Sequence, residues 1–176
     1  MDTKRETLLP LATYASVATA ILLVGLKTWA WLASGSVSLL ASLVDSLTDS
    51  LASIVNLFAV RLALRPADDN HPFGHGKAES LSALAQSAFI GGSAVFLLLN
   101  AVERLLHPQP LQQTTLGIAV MLVSLLLTLA LVLFQRWVLR RAQSQAVSAD
   151  SLHYVTDSAS NVVVLVALVL AAGAWQ

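Results

Sequence analysis

Cysteine is absent from this 176-residue chain, and charged residues are scarce, at 11% of the total. Without cysteine there are no disulfides and no thiolate ligands, so any metal site must use oxygen and imidazole nitrogen. Soluble domains average about 25% charged residues, whereas this chain is 56% hydrophobic with no formal net charge. It has no basic stripe, phosphate-binding loop or nucleophile elbow, so a nucleic-acid partner and an enzymatic function are not predicted.

Five apolar stretches are each long enough to cross about 30 Å of hydrocarbon, which takes roughly 20 helical residues. Only helices and closed barrels satisfy their backbone polar groups in lipid, and these stretches are too long for strands. We therefore predict the all-α class: one domain over residues 1–176, a polytopic bundle of five transmembrane helices, with spans near 11–33, 37–64, 79–106, 116–138 and 149–175. The short link Ser34-Gly35-Ser36 makes the first two spans antiparallel neighbours.

Basic residues predict the orientation of the bundle. Eight of the ten lysines and arginines fall on the side of the N-terminus, and the other two are Lys27 and Arg104. Cytoplasmic loops are enriched in these residues, so the N-terminus is expected in the cytoplasm. Lys27 is expected near the outer end of its helix, with its ammonium group extended to the membrane interface.

Two apolar spans carry carboxylates and a histidine at one-turn spacing. The second span has a polar stripe with steps of three and four: Ser38, Ser42, Asp45, Asp49, Ser53 and Asn56. The fifth repeats the pattern with Asp150, His153, Asp157 and Asn161, and Ser148 is the expected N-cap, with Asp150 in the first turn. If the stripes face each other, Asp45, Asp49, His153 and Asp157 meet mid-membrane as a tetrahedral shell for a divalent cation, most readily Zn²⁺.

Two other interpretations of these four residues stay open. Lys27 can pair with the two aspartates as a structural ion pair, or the four groups can relay protons without a metal. Ionisable residues inside a membrane are costly, which favours an ion pathway as the default interpretation.

The connection between the second and third spans holds a second group of ligand types. Asp68, Asp69, His71 and His75 lie within eight residues, and Pro72, Gly74 and Gly76 exclude a regular helix there. This segment is either a cation-binding loop or a solvated polar loop.

Three segments resemble one transporter family: PADDNHPFGHGKAESLSALAQS, SLLASLVDSLTDS and QAVSADSLHYVTDS. They are similar to the bacterial cation diffusion facilitators, above all the zinc and ferrous-iron efflux pumps of proteobacteria. The resemblance implies a tetrahedral Zn²⁺ transport site at Asp45, Asp49, His153 and Asp157, and a loop site at Asp68, His71 and His75. It also implies a homodimer in the bacterial inner membrane that exchanges a cytoplasmic divalent cation for protons.

The family pattern has a sixth helix and a cytoplasmic metal-binding domain, and we expect both to be absent here. Without that part, we expect a weaker dimer. Whether the chain is a fragment, a truncated product or a natural short form stays open. The expected cargo is Zn²⁺, with Cd²⁺ and Fe²⁺ possible. A passive channel and a non-transporting membrane sensor or assembly subunit remain as rival functions.

Overall fold

A computed structural model describes the backbone of residues 3–106 and 115–174. It also describes their side chains, except those of residues 3–4, 37–38, 97, 100–101, 103–105, 115 and 163–174. Five helices account for nearly all of this chain: α1 Thr3–Ser34, α2 Val37–Ala63, α3 Lys77–Leu106, α4 Thr115–Leu139 and α5 Gln145–Ala174. No strand occurs in these ranges, so the all-α prediction is confirmed. Each helix covers one predicted span to within two residues at either end, except that α1 begins eight residues and α5 four residues earlier than the predicted spans. Residue 175 lies outside the described part.

Three of the helices are apolar and long enough to cross a membrane, judged by length and composition over the described residues: Arg5–Ser34, Leu39–Ala63 and Leu116–Leu139. On α4 the exposed side chains Leu122, Leu126, Leu129 and Leu133 repeat at steps of four, three and four. That spacing forms one continuous apolar stripe, which is typical of a surface that faces lipid. That α3 and α5 also cross the membrane stays a prediction.

Helices α1 and α2 form an antiparallel hairpin, as predicted from their short link. Only Gly35 and Ser36 connect them, and Gly35 adopts a positive φ of 63°. Its N–H donates to the carbonyl of Trp31 at 2.7 Å, which closes the end of α1. Helix α1 then packs along α2 more extensively than any other described pair of helices packs.

The largest apolar cluster lies at the opposite end of the bundle, where α1 and α5 begin and α2 and α4 end. It consists of Leu9, Ala12, Val60, Val138, Ala142, Ala146 and Val147. At the same end, buried Glu79 at the start of α3 accepts a hydrogen bond from Arg5 at 2.7 Å. Its other carboxylate oxygen accepts the N–H of Gln145 at 3.1 Å, so Glu79 joins the starts of three helices.

The predicted N-cap of the fifth helix is wrong. Helix α5 begins at Gln145, and the hydroxyl of Ser144 accepts the N–H of Val147 at 3.3 Å as its N-cap. Ser148, predicted as the cap, is exposed and already helical. Asp150 therefore does not interact with the helix terminus but lies fully buried between helices. The cause is a serine one turn earlier, which satisfies the same unpaired N–H groups.

Candidate metal site

The polar stripes of α2 and α5 meet in the interior of the bundle. His153 Nε2 lies 3.0 Å from Asp49 Oδ1 and 3.5 Å from Asp157 Oδ2. One ligand atom of each of these residues lies within 4.8 Å of the others. The His153 side chain is 4% exposed, and those of Asp49 and Asp157 are 23% and 30% exposed. The imidazole nitrogen thus stands between two carboxylates contributed by different helices.

Asp45 does not join this group of ligand atoms. It lies one helical turn from Asp49 on α2, and its side chain is exposed. Spacing along one helix correctly predicted that the two aspartates share a face. It could not predict how far α5 follows that face, and the side chains of α5 beyond residue 162 lie outside the described part. Ser38, the first residue of the predicted stripe, also has its side chain outside the described set.

A chain of hydroxyl groups adjoins the histidine. Ser16 of α1 and Ser53 of α2 are 3.0 Å apart at their Oγ atoms, and Ser53 Oγ is 2.9 Å from the hydroxyl of Tyr154. All three side chains are buried. The ring of Tyr154 meets the ring of His153 edge to face, with centroids 5.8 Å apart. Helices α1 and α2 therefore hold the α5 segment that carries the imidazole.

Asp150 forms a second buried polar connection, one turn before His153. Gln86 of α3 donates to Asp150 Oδ1 at 3.1 Å, and Gln135 of α4 donates to Oδ2 at 2.7 Å. All three side chains are at most 2% exposed. The spacing of ionisable residues does not predict a role for either glutamine. A lone amide inside a long apolar run was the signal available for Gln135.

The expectation that Lys27 extends to the membrane interface is wrong. Its ammonium group turns toward α2, where Nζ donates to the carbonyl of Ser42 at 3.2 Å and to Ser46 Oγ at 2.6 Å. These two acceptors lie on the inner face of the hairpin and replace water as partners. Among the described residues, no carboxylate oxygen lies within 4 Å of Lys27 Nζ, so Lys27 forms no salt bridge there.

The connection between α2 and α3 contains a second group of ligand atoms. Residues 65–76 form turns and bends, as their prolines and glycines predict. Asp68 Oδ1 accepts the N–H of His71 at 2.7 Å and lies 3.1 Å from His71 Nδ1. His75 Nε2 is 3.5 Å from Asp68 Oδ2, and the two imidazole rings are 4.4 Å apart. Ligand atoms of Asp68, His71 and His75 all lie within 4.8 Å of one another.

The electrostatics of this loop centre on Asp68. Desolvation acts to raise the pKa of the Asp68 carboxyl, but the backbone N–H and the ring of His71, with a smaller effect of His75, outweigh it. The pKa of Asp68 therefore lies below its usual value. The carboxylate is held ionised between two imidazoles, which is the form that binds a cation.

The sequence profile of the cation efflux transmembrane domain matches residues 13–174 of this chain. The chain belongs to this family. The match includes both groups of ligand atoms and all five helices except the first turns of α1. Membership in the cation efflux family, together with the apolar helices, makes the chain a multi-pass membrane protein.

Curated bacterial proteins of similar sequence carry the name cation-efflux pump FieF. The chain is 55% identical to those of Klebsiella pneumoniae and Escherichia fergusonii over 165 residues, which cover 94% of this chain and 55% of each relative. It is 54% identical to that of Yersinia enterocolitica over 170 residues, which cover 97% of this chain and 57% of the relative. The chain thus spans little more than half the length of these relatives.

Proposed function

We propose that this chain acts as a transporter rather than an enzyme and exports divalent metal cations, with Zn²⁺ as the main cargo, by exchange for protons. The observation that carries the proposal is the Asp49–His153–Asp157 group between two helices of a membrane protein. The relatives named cation-efflux pumps support export as the direction of transport. Their bacterial origin and the basic residues at one end of the bundle support an inner-membrane location with a cytoplasmic N-terminus.

The separations of the ligand atoms suit a small tetrahedral cation. Zn²⁺ binds nitrogen and carboxylate oxygen at about 2.0–2.2 Å, so neighbouring ligands in a tetrahedron lie roughly 3.3 Å apart. The observed separations of 3.0 Å and 3.5 Å bracket this value. Asp45, one turn away on α2, is the proposed fourth ligand, and a rotation of its side chain or a small shift of α2 brings it to the cation.

Exchange for protons follows from the ligand chemistry. A metal binds to ionised carboxylates and a neutral imidazole, so cation and protons compete for Asp49, His153 and Asp157. If this site opens alternately to the two sides of the membrane, protons from outside displace the cation there. Oxygen and imidazole ligands without sulfur suit Zn²⁺ and, in second place, Cd²⁺ or Fe²⁺, and the order of divalent affinities favours Zn²⁺ over Fe²⁺.

The loop group of Asp68, His71 and His75 is proposed as a second cation site. Its residues come from one short segment, so it assembles without contributions from distant helices. Because Asp68 and His71 are more than half exposed, we expect weaker binding than at the intramembrane site. We also propose that the chain works as a homodimer in the membrane, as the resemblance to its family implies.

The test is Zn²⁺ uptake into proteoliposomes that contain the chain, with and without an imposed pH gradient. We expect gradient-driven uptake by the original chain and its loss in Asp49→Ala. Glu6→Ala is the matched control, because it removes an exposed carboxylate at the start of α1, far from the ligand atoms. Uptake by Asp49→Ala equal to that of the original chain would remove the intramembrane site from the proposal.

The rival functions predict different results in the same vesicles. A passive channel conducts Zn²⁺ without dependence on the pH gradient. A membrane sensor or a transporter fragment binds Zn²⁺ in an Asp49-dependent manner but moves none. Zinc titration of the same preparation separates these cases, and a loss of affinity in Asp45→Ala comparable to that in Asp49→Ala supports Asp45 as the fourth ligand.

A further inference from the structure

Lys27 brings a positive charge into the interior of the bundle beside the proposed transport site. Its Nζ is held by two acceptors of α2, the carbonyl of Ser42 at 3.2 Å and Ser46 Oγ at 2.6 Å. Ser46 is buried and lies between Asp45 and Asp49 in the sequence of the same helix. The ammonium group is therefore fixed against the helix that supplies part of the ligand set.

The charge of Lys27 reaches the carboxylates although no direct salt bridge forms. Burial opposes the charged form of the Lys27 amine, whereas the carboxylates of Asp49, Asp45 and Asp157 on two different helices favour it. The other lysine and arginine side chains that the structure describes, at positions 5, 61, 65, 77, 136, 140 and 141, belong to the opposite end of the bundle. Among the basic side chains that the structure describes, Lys27 is thus the one that lies beside the site.

The positive charge of Lys27 balances the charges of the loaded transport site. Three carboxylates, one divalent cation, one neutral imidazole and one ammonium group together carry no net charge. Net charge in a medium of low dielectric constant is costly, so a neutral assembly is favoured inside a membrane protein. With a monovalent or a trivalent cation in place of the divalent one, the same assembly keeps one unit of charge.

We propose that Lys27 sets the charge of the loaded transport site and thereby favours divalent cations and limits how tightly they are held. This inference rests on the proposed function, because it takes Asp45, Asp49, His153 and Asp157 as the ligands. Removal of the ammonium group leaves the loaded site with one unit of negative charge. A cation then binds more tightly and leaves more slowly, the reverse of what distortion of the site produces.

The test measures Zn²⁺ dissociation constants for the full chain in lipid nanodiscs at pH 8, where competition by protons is small. All proteins carry His71→Ala and His75→Ala, so that the loop group does not contribute. We expect Lys27→Met to bind Zn²⁺ at least about tenfold more tightly, because a unit positive charge weakens the binding of a divalent cation by about that factor even at a separation of about 20 Å and an effective dielectric constant of about 20. Lys27→Arg keeps the charge and should remain within about threefold of the parent protein.

Two further variants separate charge from structure. Lys27→Gln has no charge but retains an N–H donor for Ser42 and Ser46, so its affinity should rise as in Lys27→Met even where the methionine variant folds poorly. Ser46→Ala removes the 2.6 Å hydrogen bond and leaves the charge, so its affinity should stay near that of the parent. Unchanged or weaker binding in both neutral variants would overturn the inference.

Asp49→Ala in the same background distinguishes this inference from the proposed function. If Asp49→Ala loses Zn²⁺ binding while the neutral Lys27 variants bind as the parent does, the transport site stands and the role of Lys27 is wrong. If Asp49→Ala binds Zn²⁺ as the parent does, the proposed site itself is wrong. Zinc efflux rates from loaded vesicles complete the test, since the neutral variants should release the cation more slowly than Lys27→Arg.

Discussion

Gln135 donates its amide N–H to Asp150 across 2.7 Å and so joins α4 to α5 inside the bundle. Gln86 of α3 donates to the other oxygen of the same carboxylate. Asp150→Ala leaves both buried amides without this acceptor. Each unsatisfied buried group costs about 1–3 kcal/mol of stability, although hydrogen bonds between membrane helices often contribute only about 0.6 kcal/mol. We predict a loss of about 1–4 kcal/mol in the free energy of unfolding, measured by denaturant titration in mixed micelles.

The control for this prediction is Ser148→Ala, on the exposed side of the same helix. A surface substitution of this kind changes stability by at most about 0.5 kcal/mol. Equal stability of the two variants would show that the Asp150 hydrogen bonds contribute nothing net.

Glu79 should contribute more to stability than its ion-pair partner Arg5. Its carboxylate is almost fully buried and accepts the N–H of Gln145 at the start of α5, whereas the Arg5 side chain is 48% exposed. Loss of an N-terminal cap costs about 0.5–2 kcal/mol, and an exposed ion pair about 0–1 kcal/mol. We predict that Glu79→Ala lowers the thermal midpoint more than Arg5→Ala. The reverse order, measured under the same conditions, contradicts the capping role.

Two glycines of the α1–α2 hairpin should respond oppositely to alanine. At both positions no atom lies within 4 Å of the place that an alanine Cβ would occupy, so steric overlap plays no part. Gly35 has a φ of 63°, where an L-residue is strained by about 1–2 kcal/mol, so Gly35→Ala should destabilise the protein. Gly25 lies within α1, where alanine is favoured by up to about 1 kcal/mol, so Gly25→Ala should stabilise it. Unfolding free energies of both variants check the signs.

The carboxyl group of Asp68 should titrate below the ordinary aspartate pKa of about 3.9. Desolvation opposes this shift, but hydrogen bonds from His71 outweigh it. Since the pKa is lower in the folded loop, the carboxylate stabilises the loop above the unfolded pKa, and this effect is lost as the pH falls through the folded pKa. Carboxyl ¹³C chemical shifts against pH give the value directly, and His71→Ala should raise it toward the ordinary value. A pKa at or above the ordinary value in the parent loop contradicts the prediction.

Helix number and pairing were predictable from the sequence because they depend on length and hydrophobicity. Each apolar run long enough for a bilayer became one helix, and the two-residue link left α1 and α2 no other arrangement than a hairpin. The meeting of Asp49 with His153 was also predictable, since polar stripes on apolar helices must face each other or water.

The side-chain partners were not predictable in the same way. The direction of Lys27 depends on whether α2 offers acceptors at its level, and the sequence does not give the rotation of one helix against another. The position of Asp150 depended on where α5 begins, and Ser144 and Ser148 are equally good caps by residue type. Gln86 gained its role only because α3 packs against α5 at that level.

The two-residue link at Gly35 has a mechanical consequence for the proposed site. Because the turn is so short and α1 packs along α2, we expect the hairpin to move as one unit, with little change in the mutual distances of Lys27, Asp45 and Asp49. His153 and Asp157 belong to α5, which is a separate arm. The proposed ligands are therefore divided between the α1–α2 hairpin and α5, and the hairpin also carries the positive charge of Lys27. Opening the site therefore requires the contact from Asp49 to His153 to lengthen, while the Ser53–Tyr154 hydrogen bond joins the same two helices beside it.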